Sequence, residues 1–252
     1  MANAARRNAG TPPKKGRDPL LAAICHDLRA PLAAVTMGTN FVLQTTDAEN
    51  DRSRRILEAM LRSCAQMERL IRDFADLSEI EGDAVELRLG VHDAGEMLDF
   101  AREALNELAA SRDVTIEVDK PEHPVVLTCD RERVLRLLHH LLDNALKFAP
   151  PKSKVTLAVR RDNGTATFSV IDHGTGLSKE VKKNLFDRQW HARRANRVGA
   201  GLGLAIARGF AEAHDGSLHV ESRPGEETTF TFTLPIRRGN VSSGSGSARR
   251  RR

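Results

Sequence analysis

His26 stands in the run HDLRAPL (26–32), beside Asp27 and shortly before Pro31. A neutral imidazole is a competent nucleophile near pH 7, because its free pKa is about 6.5. Asp27 can orient that ring or take its proton. Pro31 removes a helical hydrogen bond and is expected to bend its helix locally. Alone, a helical His beside an Asp is an ordinary surface pair. Three polar, glycine-rich clusters downstream change its meaning: HHLLDNALKFAP (139–150), DHGTGL (172–177) and GAGLGL (199–204), in that order.

In the first cluster His140, Asn144 and Lys147 are four and three residues apart, so they share one helix face. Asn144 offers a neutral oxygen to Mg2+, which binds hard oxygens and keeps phosphates and water as its other ligands. Lys147 offers a point charge for phosphate. Each taken singly also fits a solvated polar face. Asp172 ends the apolar–polar alternation TATFSVI. A carboxylate there can accept a hydrogen bond from an adenine amino group, and Gly174 and Gly176 let backbone approach the ring. A plain strand-to-turn DxG reads the same way. In GAGLGL, backbone N–H groups at the start of the following helix suit phosphate oxygens. No GK[ST] follows, which excludes a P-loop. The third glycine is misplaced and no strand leads in, which disfavours a dinucleotide-binding loop. A glycine-rich hinge is the plainer reading. Residues 178–198 carry Trp190, Arg188, Arg193, Arg194 and Arg197 and read as a lid, from which an Arg could touch a γ-phosphate.

These residues must be positioned by two kinds of architecture. Residues 19–46 read as a long helix, with Asp18 as N-cap and Pro19 in the first turn. DAEN (47–50) reads as a tight connection, and 51–79 as a second helix. On it Ile56, Met60, Ser63, Met67, Leu70, Phe74 and Leu77 follow a 4-3-4-3-4-3 spacing, a heptad seam. Leu57, Leu61, Cys64 and Ile71 widen the stripe. A two-helix hairpin cannot bury so broad a face, so a homodimeric four-helix bundle is inferred. EGD (81–83) breaks the helix and marks a boundary. Beyond it, VELRL (85–89), VTIEV (114–118) and VVLTC (125–129) read as strands, and 92–110 and 131–148 as helices. On 131–148 the apolar stripe is Val134, Leu138, Leu141, Ala145 and Phe148. KVTLAV and TATFSVI form a hairpin across DNGT. A helix at 202–214 and the strands SLHVES and TTFTFTLP complete an α+β layer with a largely antiparallel sheet.

Composition is that of a soluble globular chain: 252 residues, 40% apolar and 29% charged. No apolar run approaches the ~20 residues of a membrane span, and the polar, basic start is not a secretory signal. The net charge of +5 is unevenly placed. Residues 1–17 carry five basic side chains and no acid, and 237–252 carry six and none. Both ends read as solvated, disordered tails, and the remainder is net acidic, with no reason to expect a specific nucleic-acid partner. Three cysteines (25, 64, 129) without a C-x-x-C pair fit a reducing cytoplasm. The adjacent His139 and His140 are poorly spaced for a metal on one helix face, so no structural zinc is expected.

From about residue 18 to 236 the chain resembles the transmitter core of two-component sensor histidine kinases. HDLRAPL resembles the phospho-acceptor box. The 139–150 run, DHGTGL, LFDRQW and GAGLGL resemble the family's asparagine, first glycine, phenylalanine and second glycine boxes, in order and with fitting spacing. The resemblance implies a dimerisation and histidine-phosphotransfer hairpin (18–80), then a Bergerat-type (GHKL) ATP-binding sandwich (84–236). It implies ATP and Mg2+, and a response regulator receiver domain as partner. His26 would be phosphorylated with Asp27 assisting. Asn144 would hold magnesium, with His140 beside it, Lys147 would meet phosphate and Asp172 would read adenine. Gly174, Gly176, Gly199, Gly201, Gly203 and Leu204 would shape the pocket and lid.

Departures from the family pattern are informative. His140 replaces the leading Asn, as in related chemotaxis kinases. Gln189 replaces the second Phe of its box, and Glu227 stands where Gly is common. Ala30 replaces the Thr or Asn that often holds an attacking water in members that also dephosphorylate their regulator, which puts phosphatase activity in doubt. Residues 1–17 are too few and too polar for a sensory domain, so the stimulus is expected from a separate sensory partner or a longer chain. Two other readings remain: a nucleotide-binding scaffold without turnover, and a chaperone- or repair-type ATPase of the same fold. The latter would need an acid where His140 stands.

Overall fold

A computed structural model describes residues 19–45, 51–186 and 202–236. They divide into two compact units. Of the described residues, one holds those up to Glu86 together with 202–209, and the other holds Leu87–Phe186 and 210–236.

In the first unit, α1 (Pro19–Thr45) and α2 (Asp51–Glu81) form a hairpin. The connection 47–50 and Asp18 lie outside the described residues. α1 runs unbroken through Pro31. Further along it the hydroxyls of Thr36 and Thr39 each donate to the carbonyl four residues back, Leu32 and Val35. Leu32, Cys64 and Ile71 form the buried seam between the helices, with Ala75 packed against them. The heptad residues of α2 mostly point elsewhere: Ile56 is 54% and Met60 43% exposed, with Met67 and Phe74 similar, while Leu77 is buried. Ile56, Met60, Ser63 and Met67 line an apolar groove of about 370 Å³ with Val35, Ala59 and Cys64. α2 ends where EGD breaks it, with Asp83 in the left-handed region (φ 53).

In the second unit, α3 spans Ala94–Ser111 and α4 Arg131–Phe148. A short α5 (Lys179–Lys183) was not anticipated from the sequence, and α6 spans Gly203–Ala213, its last residues belonging to this unit. The strands are β1 (Gly90–Asp93), β2 (Val114–Asp119), β3 (Val126–Cys129), β4 (Ser153–Asp162), β5 (Thr165–Asp172), β6 (Ser217–Arg223) and β7 (Glu227–Pro235). The main sheet has the order β2-β4-β5-β7-β6, with β2 parallel to β4 and the other pairs antiparallel. Asn163 and Gly164, both at positive φ, close the β4–β5 hairpin.

One face of the main sheet is apolar and buried: Val155, Leu157 and Val159 on β4, Ala166, Phe168 and Val170 on β5, Phe230, Phe232 and Leu234 on β7. Phe168 and Phe232 are register partners and stack at 4.4 Å. The core layer of α4 is Val134, Leu137, Leu138, Leu141, Leu142, Ala145 and Leu146. The opposite sheet face is lined by hydroxyls, Thr167 and Ser169 on β5 and Thr229, Thr231 and Thr233 on β7, and stays partly exposed.

Two expectations need correction. VELRL is not a strand: 85–89 is irregular, and the strand lies at Gly90–Asp93. The backbone N–H of Arg88 in this stretch instead donates to the Asp130 carboxylate at 2.8 Å. The helix expected from 92 starts at Ala94, because Asp93 caps it by accepting from Glu96 N at 2.9 Å. VTIEV and VVLTC are strands as expected, and they lie in different sheets: β2 joins the main sheet and β3 pairs with β1.

Candidate functional site

α4 starts where it does because Asp130 caps it. One carboxylate oxygen accepts from Arg133 N at 3.1 Å and the other from Arg88 N. It ends at Pro150-Pro151, which cannot continue a helix. Between these limits the apolar stripe turns inward and His140 and Asn144 sit half-buried on another face, with Lys147 exposed near the end. Burial, then His139, then Arg136 push the His140 imidazole down to about 3, so it is neutral at physiological pH. Its ring meets that of His139 edge-on, with centroids 6.1 Å apart. A neutral imidazole beside Asn144 adds a donor and an acceptor without adding charge. Phe148, expected in the core stripe, is 39% exposed, and the Lys147 ammonium lies 5.6 Å from its ring centroid.

The second wall is the end of β5. Asp172 is 3% exposed. Burial raises its carboxyl pKa, opposed by the Gly174 N–H, which donates to it at 3.0 Å, and by His173. A Cβ on Gly174 would lie 2.6 Å from the carbonyl oxygen of Phe148 and 2.8 Å from Asp172 Oδ1. The last turn of α4 and the DHG turn therefore meet backbone to backbone, which brings the adenine-reading candidate against the helix of Asn144. Gly176 (φ 62) packs so tightly on the Arg223 carbonyl that no side chain fits.

A residue that sequence reasoning missed completes this wall. Thr228 is buried and is the register partner of Asp172. Ser222 donates to the Glu227 carbonyl at 2.8 Å and accepts from Leu177 N at 2.8 Å. The Ser222–Thr228 contact at 3.0 Å is therefore donated by Thr228, leaving the lone pairs of Thr228 as acceptors. The alternation in TTFTFTLP does say that Thr228 shares a face with Phe230 and Phe232. Which residue stands opposite it requires the strand order.

The remaining candidates are placed less fully. His26 and Asp27 lie on α1, and their side chains lie outside the described ones; Ala30 is exposed on the same helix. Gly199, Gly201, Arg188, Gln189, Trp190, Arg193, Arg194 and Arg197 lie outside the described residues. Gly203 opens α6, followed by half-buried Leu204, and both belong to the first unit. Glu227 begins β7 opposite Arg223, while Gly225 takes the left-handed turn position (φ 84) and donates to the Thr175 carbonyl at 2.8 Å. The turn therefore keeps a glycine where its backbone needs one, and Glu227 occupies ordinary strand backbone.

A helical hairpin bears His26, and a two-layer sandwich sets a buried carboxylate beside the helix that carries His140 and Asn144. Both units match known families. Residues 17–83 match the family model "His Kinase A (phospho-acceptor) domain", and residues 129–238 match "Histidine kinase-, DNA gyrase B-, and HSP90-like ATPase". The chain is 34% identical over 214 residues to the sensor protein DivL, and 32% over 226 residues to the histidine protein kinase DivJ, both of Caulobacter vibrioides. These matches cover 84% and 88% of this chain but 27% and 38% of those proteins, so the chain spans well under half of their length. Among solved structures, full-length ShkA in complex with AMPPNP matches with a TM-score of 0.73 at 25% identity, over 86% of this chain and 46% of that one. The chain belongs to the sensor histidine kinases and comprises their transmitter core, with an ATP-binding second domain. No helix among the described residues is long and apolar enough to cross a membrane.

Proposed function

We propose that this chain is an active, dimeric, ATP-dependent protein-histidine kinase that phosphorylates His26 and passes the phosphoryl group to an aspartate of a response regulator receiver domain. The functional domains are 18–80 and 84–236. The observation that carries the reading is the junction at Gly174, where the buried Asp172 carboxylate and the last turn of α4 share one wall.

Asp172 and Thr228 recognise the adenine edge, while Gly174 and Gly176 keep the wall free of side chains. His140 and Asn144 present neutral polar groups to the phosphates, and Lys147 neutralises their charge. Asn144 fits a magnesium site: its amide oxygen is hard and neutral, and His140 beside it stays uncharged. When bound, Mg2+ supplies charge neutralisation across the phosphates. In the transfer, an imidazole nitrogen of His26 forms a bond to the γ-phosphorus as the bond to the β-bridging oxygen breaks. ADP leaves, and Asp27 takes the imidazole proton. Gly199, Gly201, Gly203 and Leu204 are assigned to the phosphates by the glycine box they form, and a lid arginine by its charge. The exposed seam of Ile56, Met60, Met67 and Phe74 is the face a second copy covers. A cytoplasmic setting and input from a separate sensory protein complete the reading.

The test is incubation with γ-labelled ATP and Mg2+. Acid-labile, alkali-stable label on the wild type, lost in His26→Gln, is expected. A wild type that binds ATP but takes up no label overturns the kinase reading in favour of a non-catalytic scaffold.

A further inference from the structure

His214 follows the last residue of α6 and is 4% exposed. Its Nε2 accepts the backbone N–H of Asp130 at 3.0 Å, and its Nδ1 lies 2.7 Å from the Phe210 carbonyl oxygen. A carbonyl only accepts, so Nδ1 carries the proton and Nε2 a lone pair, and the ring is one neutral tautomer. The residue it grips, Asp130, is the cap of α4. The Phe210 ring is likewise engaged by α4, with the guanidinium groups of Arg133 and Arg136 lying 5.0 and 5.9 Å from its centroid. The end of α6 is thus fastened to the first turns of α4 by one imidazole and one phenyl ring.

α4 carries His140, Asn144 and Lys147. An α-helix is stiff along its axis, so the cap sets the direction and rotation at which that polar face meets the pocket. We propose that His214 is a positioning residue for nucleotide use: it never touches the nucleotide, and it holds the cap of α4 so that Asn144 and its neighbours face the phosphates. The inference rests on the kinase reading above.

The experiment compares the full chain with His214→Gln and His214→Asn. Gln can return an amide oxygen near the Nε2 position, which restores the acceptor for Asp130 N–H. Asn reaches only the Nδ1 position, keeps the bond to Phe210 and leaves Asp130 N–H unpaired. The readouts are calorimetric affinity for Mg·ADP, the half-saturating ATP concentration, the autophosphorylation rate at saturation, and Tm. His214→Asn is expected to weaken nucleotide affinity and raise half-saturation about tenfold, the size of one buried hydrogen bond. The saturated rate should stay within about twofold, and Gln should recover most of the loss. Equal affinity in all three proteins, or a loss confined to Tm, overturns the proposal. One measurement needs no variant: Mg·ADP should slow amide exchange at Asp130–Arg133 in the wild type, and unchanged exchange there also overturns it. A wild type that binds ADP but never labels His26 fails the kinase reading alone, while the affinity and exchange arms still decide the role of His214.

Discussion

Replacing Gly174 with Ala adds one methyl group at the point where two walls of the proposed site touch. The backbone φ at this residue is not in the left-handed region, so alanine can adopt it and the effect is purely one of contact. The new Cβ would stand 2.6 Å from the Phe148 carbonyl oxygen, 3.1 Å from its carbon and 2.8 Å from Asp172 Oδ1. Two of those atoms are backbone, so the DHG turn must move away from α4. Overpacking of this kind costs about 1–3 kcal/mol. The same movement stretches the 3.0 Å bond from Gly174 N–H to the carboxylate, a charge-assisted bond worth roughly 1.5–3 kcal/mol. If half of that strain is expressed in the pocket, affinity for Mg·ATP falls about ten- to a hundredfold. Gly225→Ala is the control. Its Cβ meets nothing within 4 Å, but its φ is +84, so it should lose about 1–2 kcal/mol of stability from backbone strain with nucleotide affinity unchanged. Binding of a fluorescent nucleotide and chemical denaturation of both variants separate the two effects. A Gly174→Ala protein that binds ATP like wild type would refute the claim that this junction shapes the site.

Two further outcomes follow from the same structure. His140 is held near 3 when folded and titrates near 6.5 when unfolded, so the unfolded chain binds more protons between those values. Stability is therefore unaffected by this group above about pH 6.5 and is lost as pH falls toward 3, by up to roughly 1.4 kcal/mol per pH unit before discounting for its partial exposure. His140→Gln should flatten that slope in urea denaturation series, and an unchanged slope contradicts the burial argument. On the hairpin, Met60→Lys places a charge in the exposed seam without touching the Leu32–Cys64–Ile71 contact. Light scattering should show a folded monomer replacing a dimer, and a dimer that persists with unchanged affinity removes the seam from the interface.

Much of this was legible in the sequence because it depended on periodicity. The α4 stripe, the β4–β5 hairpin and the helix break at EGD are local patterns, and each stands within a few residues of where the spacing put it. What failed was non-local. VELRL alternates like a strand, yet Arg88 N is claimed by Asp130, 42 residues on, so the strand begins after it. Phe148 continues the apolar stripe of α4 in sequence, but it is the last residue of the helix and is left exposed. Thr228 and His214 gain their roles from partners on other strands and helices, and no spacing rule within their own segments names those partners.

The register of the sheet explains why the buried carboxylate stands where it does. On the inner face, one row of register partners joins Val159, Phe168 and Phe232 with Leu218, and the next joins Leu157, Val170 and Phe230 with Val220. The third row joins Val155, Asp172, Thr228 and Ser222. The core turns from fully apolar to polar in a single step of two residues, at the edge where β5 gives way to the DHG turn. A purine brought to that edge would find hydrogen-bonding groups in this row and none in the two apolar rows beside it, an asymmetry that would fix its orientation. The cost is a carboxylate drawn out of water, visible as the raised pKa of Asp172. A base donating an N–H to that carboxylate gives it a partner that water no longer supplies. The row thus favours a ligand with a donor at one edge, and Asp172→Asn, which adds donors of its own, should lose that preference even though it removes the buried charge.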